Sequence, residues 1–90
     1  MDFEWDPEKA EANYRKHFIL FTEAEPVFED ERAIELLDDS SEEERYLAIG
    51  MDGFGRILVV VYTWRGGNIR LISARRATRS EERQYERGQR

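Results

Sequence analysis

The stretch 56–75 constrains this chain more than any other. Ile57-Leu58-Val59-Val60-Val61-Tyr62 is an unbroken apolar run of β-branched and aromatic residues, inside a strand expected over Arg56–Trp64. Gly66-Gly67 follows. Such a pair takes the positive φ angles that a two-residue hairpin turn demands. A second strand, Asn68–Arg75, comes next. The apolar run is far too short to cross a bilayer, so the hairpin belongs to a sheet. With Gly66-Gly67 as the loop, Arg65 lies opposite Asn68, Trp64 opposite Ile69, Tyr62 opposite Leu71, Val60 opposite Ser73 and Leu58 opposite Arg75. Thr63–Arg70, Val61–Ile72 and Val59–Ala74 occupy the other face. That second set is small and aliphatic, suited to helix packing. The first mixes Tyr62 and Trp64 with Ser73 and Arg75, and is the face on which a ligand is sought. The alternative makes Tyr62 and Trp64 ordinary core aromatics.

The remaining elements follow from local signals. Asp6-Pro7 is an N-cap acid followed by proline at the first helical position, which opens a helix running to about His17. Ala10, Tyr14 and His17 share one side of it, and Lys9, Asn13 and Lys16 form a polar stripe beside them. Thr22-Glu23-Ala24-Glu25 fits a capping box for a short second helix, about Glu23 to Phe28, with Phe21, Val27 and Phe28 as core contacts. Two further strands are expected over Ala33–Asp38 and Glu44–Met51, joined by the acidic turn Asp38-Asp39-Ser40-Ser41-Glu42-Glu43. Thr78-Arg79-Ser80-Glu81 is a second capping box, so a last helix starts near Arg79 and frays toward Arg90. The expected fold class is α+β in one domain over 1–90: two N-terminal helices, a four-stranded antiparallel sheet and a C-terminal helix.

Composition excludes several functions. With no Cys there is no disulfide and no thiolate metal site, and His17 is the only histidine. There is no phosphate-binding glycine loop, no dinucleotide fingerprint and no metal-ligand spacing, so neither cofactor nor metal is expected. With no signal-peptide shape at the N-terminus, the chain is expected to be soluble and cytoplasmic. Its 90 residues carry a formal net charge of −6, unevenly spread. Residues 56–90 hold nine Arg against three acids, whereas 1–55 hold five Lys/Arg against seventeen acids. A basic segment built only of Arg suits phosphate, which guanidinium grips bidentately. The bland alternative pairs these arginines with the acidic N-terminal part.

Certain residues, in order, resemble a known family. They are Phe3-Glu4-Trp5-Asp6-Pro7 with Lys9, then Asn13 and Lys16-His17, Phe21 through Ala24, and Val27-Phe28. Arg45, Leu47-Ala48-Ile49-Gly50, Val59 through Thr63, Ile69 through Ala77, Glu82-Arg83 and Tyr85 complete the set. Across nearly the whole chain this pattern is similar to the BrnT toxins, the ribonuclease half of BrnT–BrnA toxin–antitoxin pairs. The resemblance implies a RelE-like fold and metal-free endoribonuclease action on RNA that inhibits translation. It also implies neutralisation by a BrnA-like ribbon-helix-helix antitoxin, in a heterotetramer of two toxins around an antitoxin dimer. DNA would be met only through the antitoxin. Where the family carries glycine after Lys-His, this chain has Phe18.

Metal-free RNA cleavage turns the 2′-hydroxyl onto the adjacent phosphate. It needs a proton acceptor, a donor to the leaving 5′-oxygen, and cations for the charge that builds up. Arg75 is the first choice for the phosphate clamp, with an ion pair to a helix acid as the alternative. Arg76 points to the opposite face, and Arg70 also lies opposite Arg75. His17 is the one side chain that titrates near neutrality, as acid or base, although a lone histidine at a helix end is often a cap. Lys16 could ground a phosphate and Arg45 could touch substrate. Tyr85 is a proton donor or stacking platform, unless it simply packs its helix. A rival reading from the acidic balance and Phe18 is a non-catalytic protein of this fold that binds antitoxin and co-represses its operon.

Overall fold

The hairpin closes as its glycines require. Gly66 and Gly67 both take positive φ, 59° and 85°, and Arg65 stands opposite Asn68. In the computed structural model, which describes residues 2–39 and 42–88, this hairpin joins β4 (Ile57–Arg65) to β5 (Asn68–Arg76). Before it come β2 (Ile34–Asp38) and β3 (Arg45–Met51), as a meander of antiparallel pairs. Ser40-Ser41 of the expected acidic turn and the end of the chain at Arg90 lie outside the described residues.

The sheet has five strands rather than the expected four, and it is mixed. β1 (Phe3–Glu4) lies parallel to β5, giving the order β1-β5-β4-β3-β2. Two residues carry no readable period, so only contacts distant in sequence reveal this strand. The Ile69 amide donates to the Asp2 carbonyl, Phe3 packs on Phe28 with ring centroids 5.4 Å apart, and Glu4 takes an ion pair from Arg70 at 2.7 Å.

The helices start where local chemistry places them, with one correction. Helix α1 (Pro7–His17) is capped by Asp6, whose carboxylate accepts from the Glu8 amide at 2.9 Å. Helix α3 (Arg79–Arg87) opens on the expected box: Thr78 Oγ1 accepts from the Glu81 amide, and Glu81 accepts from the Thr78 amide. The second helix differs. It is α2 (Phe21–Ala24), continued by a 3-10 stretch over Glu25–Glu29. Its cap is Leu20, whose amide donates to Glu23, so Thr22 lies inside the helix. Starting at Phe21 drives Phe21 and Ala24 into the core, and burial outweighs the side-chain cap that Thr22 offers.

Each face of the sheet carries its own cover. On one, Ile19, Phe21, Ala24 and Val27 pack on Leu58, Val60, Tyr62 and Ala74. On the other, Tyr85 of α3 packs on Ile49 and Val59. A β-bulge decides which residue goes where. Tyr62 faces Leu71 as expected, but Val61 faces Ser73 and Ile72 is left unpaired. From there the register is one residue off the regular one: Val60 meets Ala74, Val59 meets Arg75 and Leu58 meets Arg76. The expected mixed face therefore does not exist. Tyr62 and Ala74 go to the core under α1 and α2. Ser73 and Arg75 share the other face with Val61 and Val59. Since Thr63 faces Arg70, the bulge also brings Arg70 onto Arg75's face, reversing the expectation that the two are opposed.

Phe18 ends α1 in the left-handed region, at φ 59° and ψ 29°, with its amide donating to the Tyr14 carbonyl at 2.8 Å. An L side chain pays a steric cost there that glycine avoids. Phe18 is 71% exposed and its ring only edges onto Tyr14. Phe18→Gly is expected to raise stability by about 0.5 kcal/mol, the steric relief exceeding the added freedom of the unfolded chain. Thermal unfolding checks this, and a lower midpoint contradicts it.

Candidate functional site

Helix α1 lies against β5, and one buried amide joins them. Asn13, expected on a solvated stripe, is turned inward and 6% exposed. Its Oδ1 accepts from the Ala74 amide at 3.0 Å, while its Nδ2 donates to the Ala74 carbonyl at 2.9 Å and the Ile19 carbonyl at 3.1 Å. One side chain thus supplies the hydrogen bonds that a further strand would give β5 at this point. The inward line of α1 is Ala10, Asn13 and His17, and Tyr14 stays 45% exposed.

This docking sets the C-terminal end of α1 beside the bulge. A cleft of about 240 Å³ opens there, lined by Lys9, Asn13, Lys16, His17, Ile72 and Ser73. His17 is partly buried. Desolvation, then the positive charges of Lys16 and Arg75, hold its pKa below 6.5. The ring is therefore biased to the neutral form at pH 7, which can accept a proton. Lys16 makes no ion pair with any described residue.

Arg75 is within electrostatic reach of His17 and is held rigidly. Its two terminal nitrogens bind both oxygens of Glu81, at 2.8 and 2.9 Å, and one of them also donates to the Arg76 carbonyl. The hydrogen bond from Arg75, assisted by the Thr78 amide, pulls the Glu81 carboxyl down to about 2. Glu81 thus caps α3 and orients the guanidinium at once. Arg76, at the end of β5, is exposed and makes no ion pair among the described residues.

Two expected site residues are elsewhere. Tyr85 is buried; its hydroxyl donates to Asp30 at 2.7 Å and its pKa is raised to about 12, first by burial. It pins α3 to the sheet. Arg45 begins β3 beside Asp38, one residue before the Tyr46–Tyr62 pair. That is four residues, about 13 Å, along the strands from the Val59–Arg75 pair. Its guanidinium sits 3.7 Å from Glu43, and its Nε is buried without a hydrogen-bond partner. Asn13 is the cleft residue that sequence reasoning left on a solvated stripe, whereas Ser73 was expected on the ligand face but beside Tyr62. Asn13 had one readable signal, a polar residue between Ala10 and His17 on the helix line that ends up inward. For Ser73 strand alternation was the signal, and the bulge, which the sequence does not show, moves it to the face opposite Tyr62.

Charge pairing splits the arginines. Arg56 binds Asp52 at 2.7 Å and Arg70 binds Glu4, as the bland reading holds. Arg75 pairs inside its own basic segment instead. Among the described residues, no three His, Asp or Glu side chains converge where they could hold a metal ion.

Comparison with known proteins places the chain. No functionally curated protein matches the chain. Residues 5–81 match the family described as the ribonuclease toxin, BrnT, of type II toxin–antitoxin systems. The backbone is similar to the 1.1 Å crystal structure of the Brucella abortus ribonuclease toxin BrnT. The TM-score is 0.73 and the identity 27%, covering 88% of this chain and 99% of that one. With the family's pattern running from Trp5 through the Glu81 that orients Arg75, the chain belongs to the BrnT family of ribonuclease toxins.

Proposed function

We propose that the chain is a metal-independent endoribonuclease toxin that cleaves RNA and thereby inhibits translation, with its centre where α1 meets β5. The observation that carries this reading is a neutral-biased imidazole sharing a cleft with the unpaired Lys16, within electrostatic reach of a guanidinium that Glu81 holds rigid. His17 takes the proton from the 2′-hydroxyl as that oxygen attacks the neighbouring phosphorus. Arg75, Lys16 and Arg76 stabilise the negative charge that accumulates on the phosphoryl oxygens. The protonated His17, or Lys16, returns a proton to the departing 5′-oxygen. No step draws on Tyr85 or Arg45.

The test is cleavage of a labelled RNA by the purified chain in excess EDTA. Cutting is expected. Its absence on free RNA and on translating ribosomes alike overturns the reading and favours the non-catalytic role, in which the pairing of Arg75 with Glu81 is purely structural.

His17 also sets a pH dependence. Its folded pKa lies below 6.5, so it is neutral above that value and gains a proton as pH falls through the lowered one. For wild type, kcat/KM is expected to be flat above about pH 6.5 and to fall below it. His17→Gln should lower the plateau and remove the acidic limb; a limb that persists there assigns the base elsewhere.

We further propose neutralisation by a BrnA-like ribbon-helix-helix antitoxin in a heterotetramer of two toxins and an antitoxin dimer, in the cytoplasm. Tyr14, Phe18 and Leu20 are exposed beside a groove of about 280 Å³ floored by Trp5, Ala10 and Phe21, an apolar surface suited to cover by a partner.

A further inference from the structure

The outer face of α3 carries charge that the proposed chemistry does not use. Arg79, Arg83 and Arg87 recur at i, i+4 and i+8, so they form one stripe along the helix. All three are exposed. None makes an ion pair with a described residue, although Glu82 and Glu86 lie on the same helix. The inward residues are Glu81 and Tyr85, held by Arg75 and Asp30, so the stripe points away from the sheet. The pattern works against the helix: like charges four residues apart repel, twice over, in an element only nine residues long. In a chain of net charge −6, free arginines gathered here are not explained by solubility.

The position supplies the explanation. Arg79 is three residues beyond Arg76, which ends β5 next to Arg75. From there α3 crosses the sheet toward β2, where Gly88 meets Ile34. The stripe thus leads away from the Arg75–Arg76 end of β5 for about 12 Å. Guanidinium groups without carboxylate partners are free to take phosphate oxygens. We propose that Arg79, Arg83 and Arg87 form a track for the sugar–phosphate backbone of single-stranded RNA extending from the bond to be cut. This rests on the ribonuclease reading and names the part of the substrate it leaves open: strand on one side of the scissile phosphate, held by charge without base readout.

The test separates binding from cleavage. A short oligonucleotide of 2′-O-methyl uridine cannot be cleaved, because its nucleophile is blocked. Its affinity is measured by fluorescence anisotropy across a salt series for wild type and for R79Q/R83Q/R87Q. Each lost phosphate contact on a single strand makes the slope of log K against log salt shallower by about 0.7, so three make it shallower by about 2, and affinity at 0.1 M salt falls about a hundredfold. Arg15→Gln, which removes a charge paired with Glu11 on α1, should leave the slope as it is. The three substitutions are exposed and relieve repulsion, and the circular dichroism of the variant verifies its fold. An unchanged slope in the triple variant, with wild type binding and cutting RNA, overturns the track alone. A slope lowered equally per charge by Arg15→Gln overturns it too, in favour of diffuse charge. Failure of wild type to bind the oligonucleotide overturns the track and leaves the ribonuclease reading to the cleavage test.

Discussion

Arg75→Ala should lower single-turnover RNA cleavage by about 10²- to 10³-fold, the usual loss when a preorganised donor to a developing anion is removed. The guanidinium is fixed before substrate arrives, since Glu81 holds it with two parallel hydrogen bonds. Arg75→Lys keeps the charge and loses the fork, so it should recover only part of the rate. The fold should tolerate both changes. The Arg75 side chain is 38% exposed, and solvent screening limits the stability loss to about 1 kcal/mol. An acid titration checks that the intended interaction was removed. The Glu81 carboxyl is lowered to about 2 from 4.5, so the stability due to its pairing is present above pH 4.5 and is lost as pH falls toward 2. Arg75→Ala should flatten that part of the profile. Wild-type cleavage rates in a variant with the flattened acid limb would remove Arg75 from the centre.

Asn13→Ala should cost about 3 kcal/mol of folding free energy, which for a domain of this size lowers the melting midpoint by roughly 15 °C. Asn13 leaves no cavity of consequence, because its contribution is polar. Truncation strands an amide and two carbonyls between α1 and β5, each having lost its partner in a buried place. Asn13→Asp is the sharper probe. A carboxylate still accepts from the Ala74 amide but faces two carbonyl oxygens with no proton to offer, so burial raises its pKa. The sign then follows: this variant is least destabilised at low pH, and its deficit grows as pH rises through the raised value. Urea unfolding at pH 4 and pH 7 reads both effects. A midpoint for Asn13→Ala close to that of wild type would show that water replaces the amide.

The same residue shows why part of the site was hidden in the sequence. Helical spacing places Lys16 and His17 one turn beyond Asn13 and predicts that they sit at a helix end. It does not predict that the helix docks along β5, because that depends on an amide meeting residue 74 from the other end of the chain. Phe18 behaves in the opposite way. Its side chain is not the glycine that the resemblance implies there, yet its backbone adopts the left-handed conformation, so α1 still stops after His17. Backbone hydrogen bonding and the chain's need to turn back to Ile19 outweigh the strain.

Interactions between near neighbours were therefore readable from the residues alone. The Asp6-Pro7 cap, the Thr78–Glu81 box and the Gly66-Gly67 turn each involve groups a few residues apart, whose geometry follows from bond rotation and local hydrogen bonding. Those signals determined the hairpin, the starts of α1 and α3, and with them the α+β class. Three features were decided by tertiary structure: β1 joining β5, the bulge opposite Val61, and α2 starting at Phe21 instead of Glu23. Each is settled by burial and by pairing between distant segments, and a one-residue shift in a strand sends every following side chain to the other face. That shift moved Ser73 and Arg75 away from Tyr62 and onto the side where Glu81 waits, so the chemistry of the candidate site was written in residue types but its assembly was not.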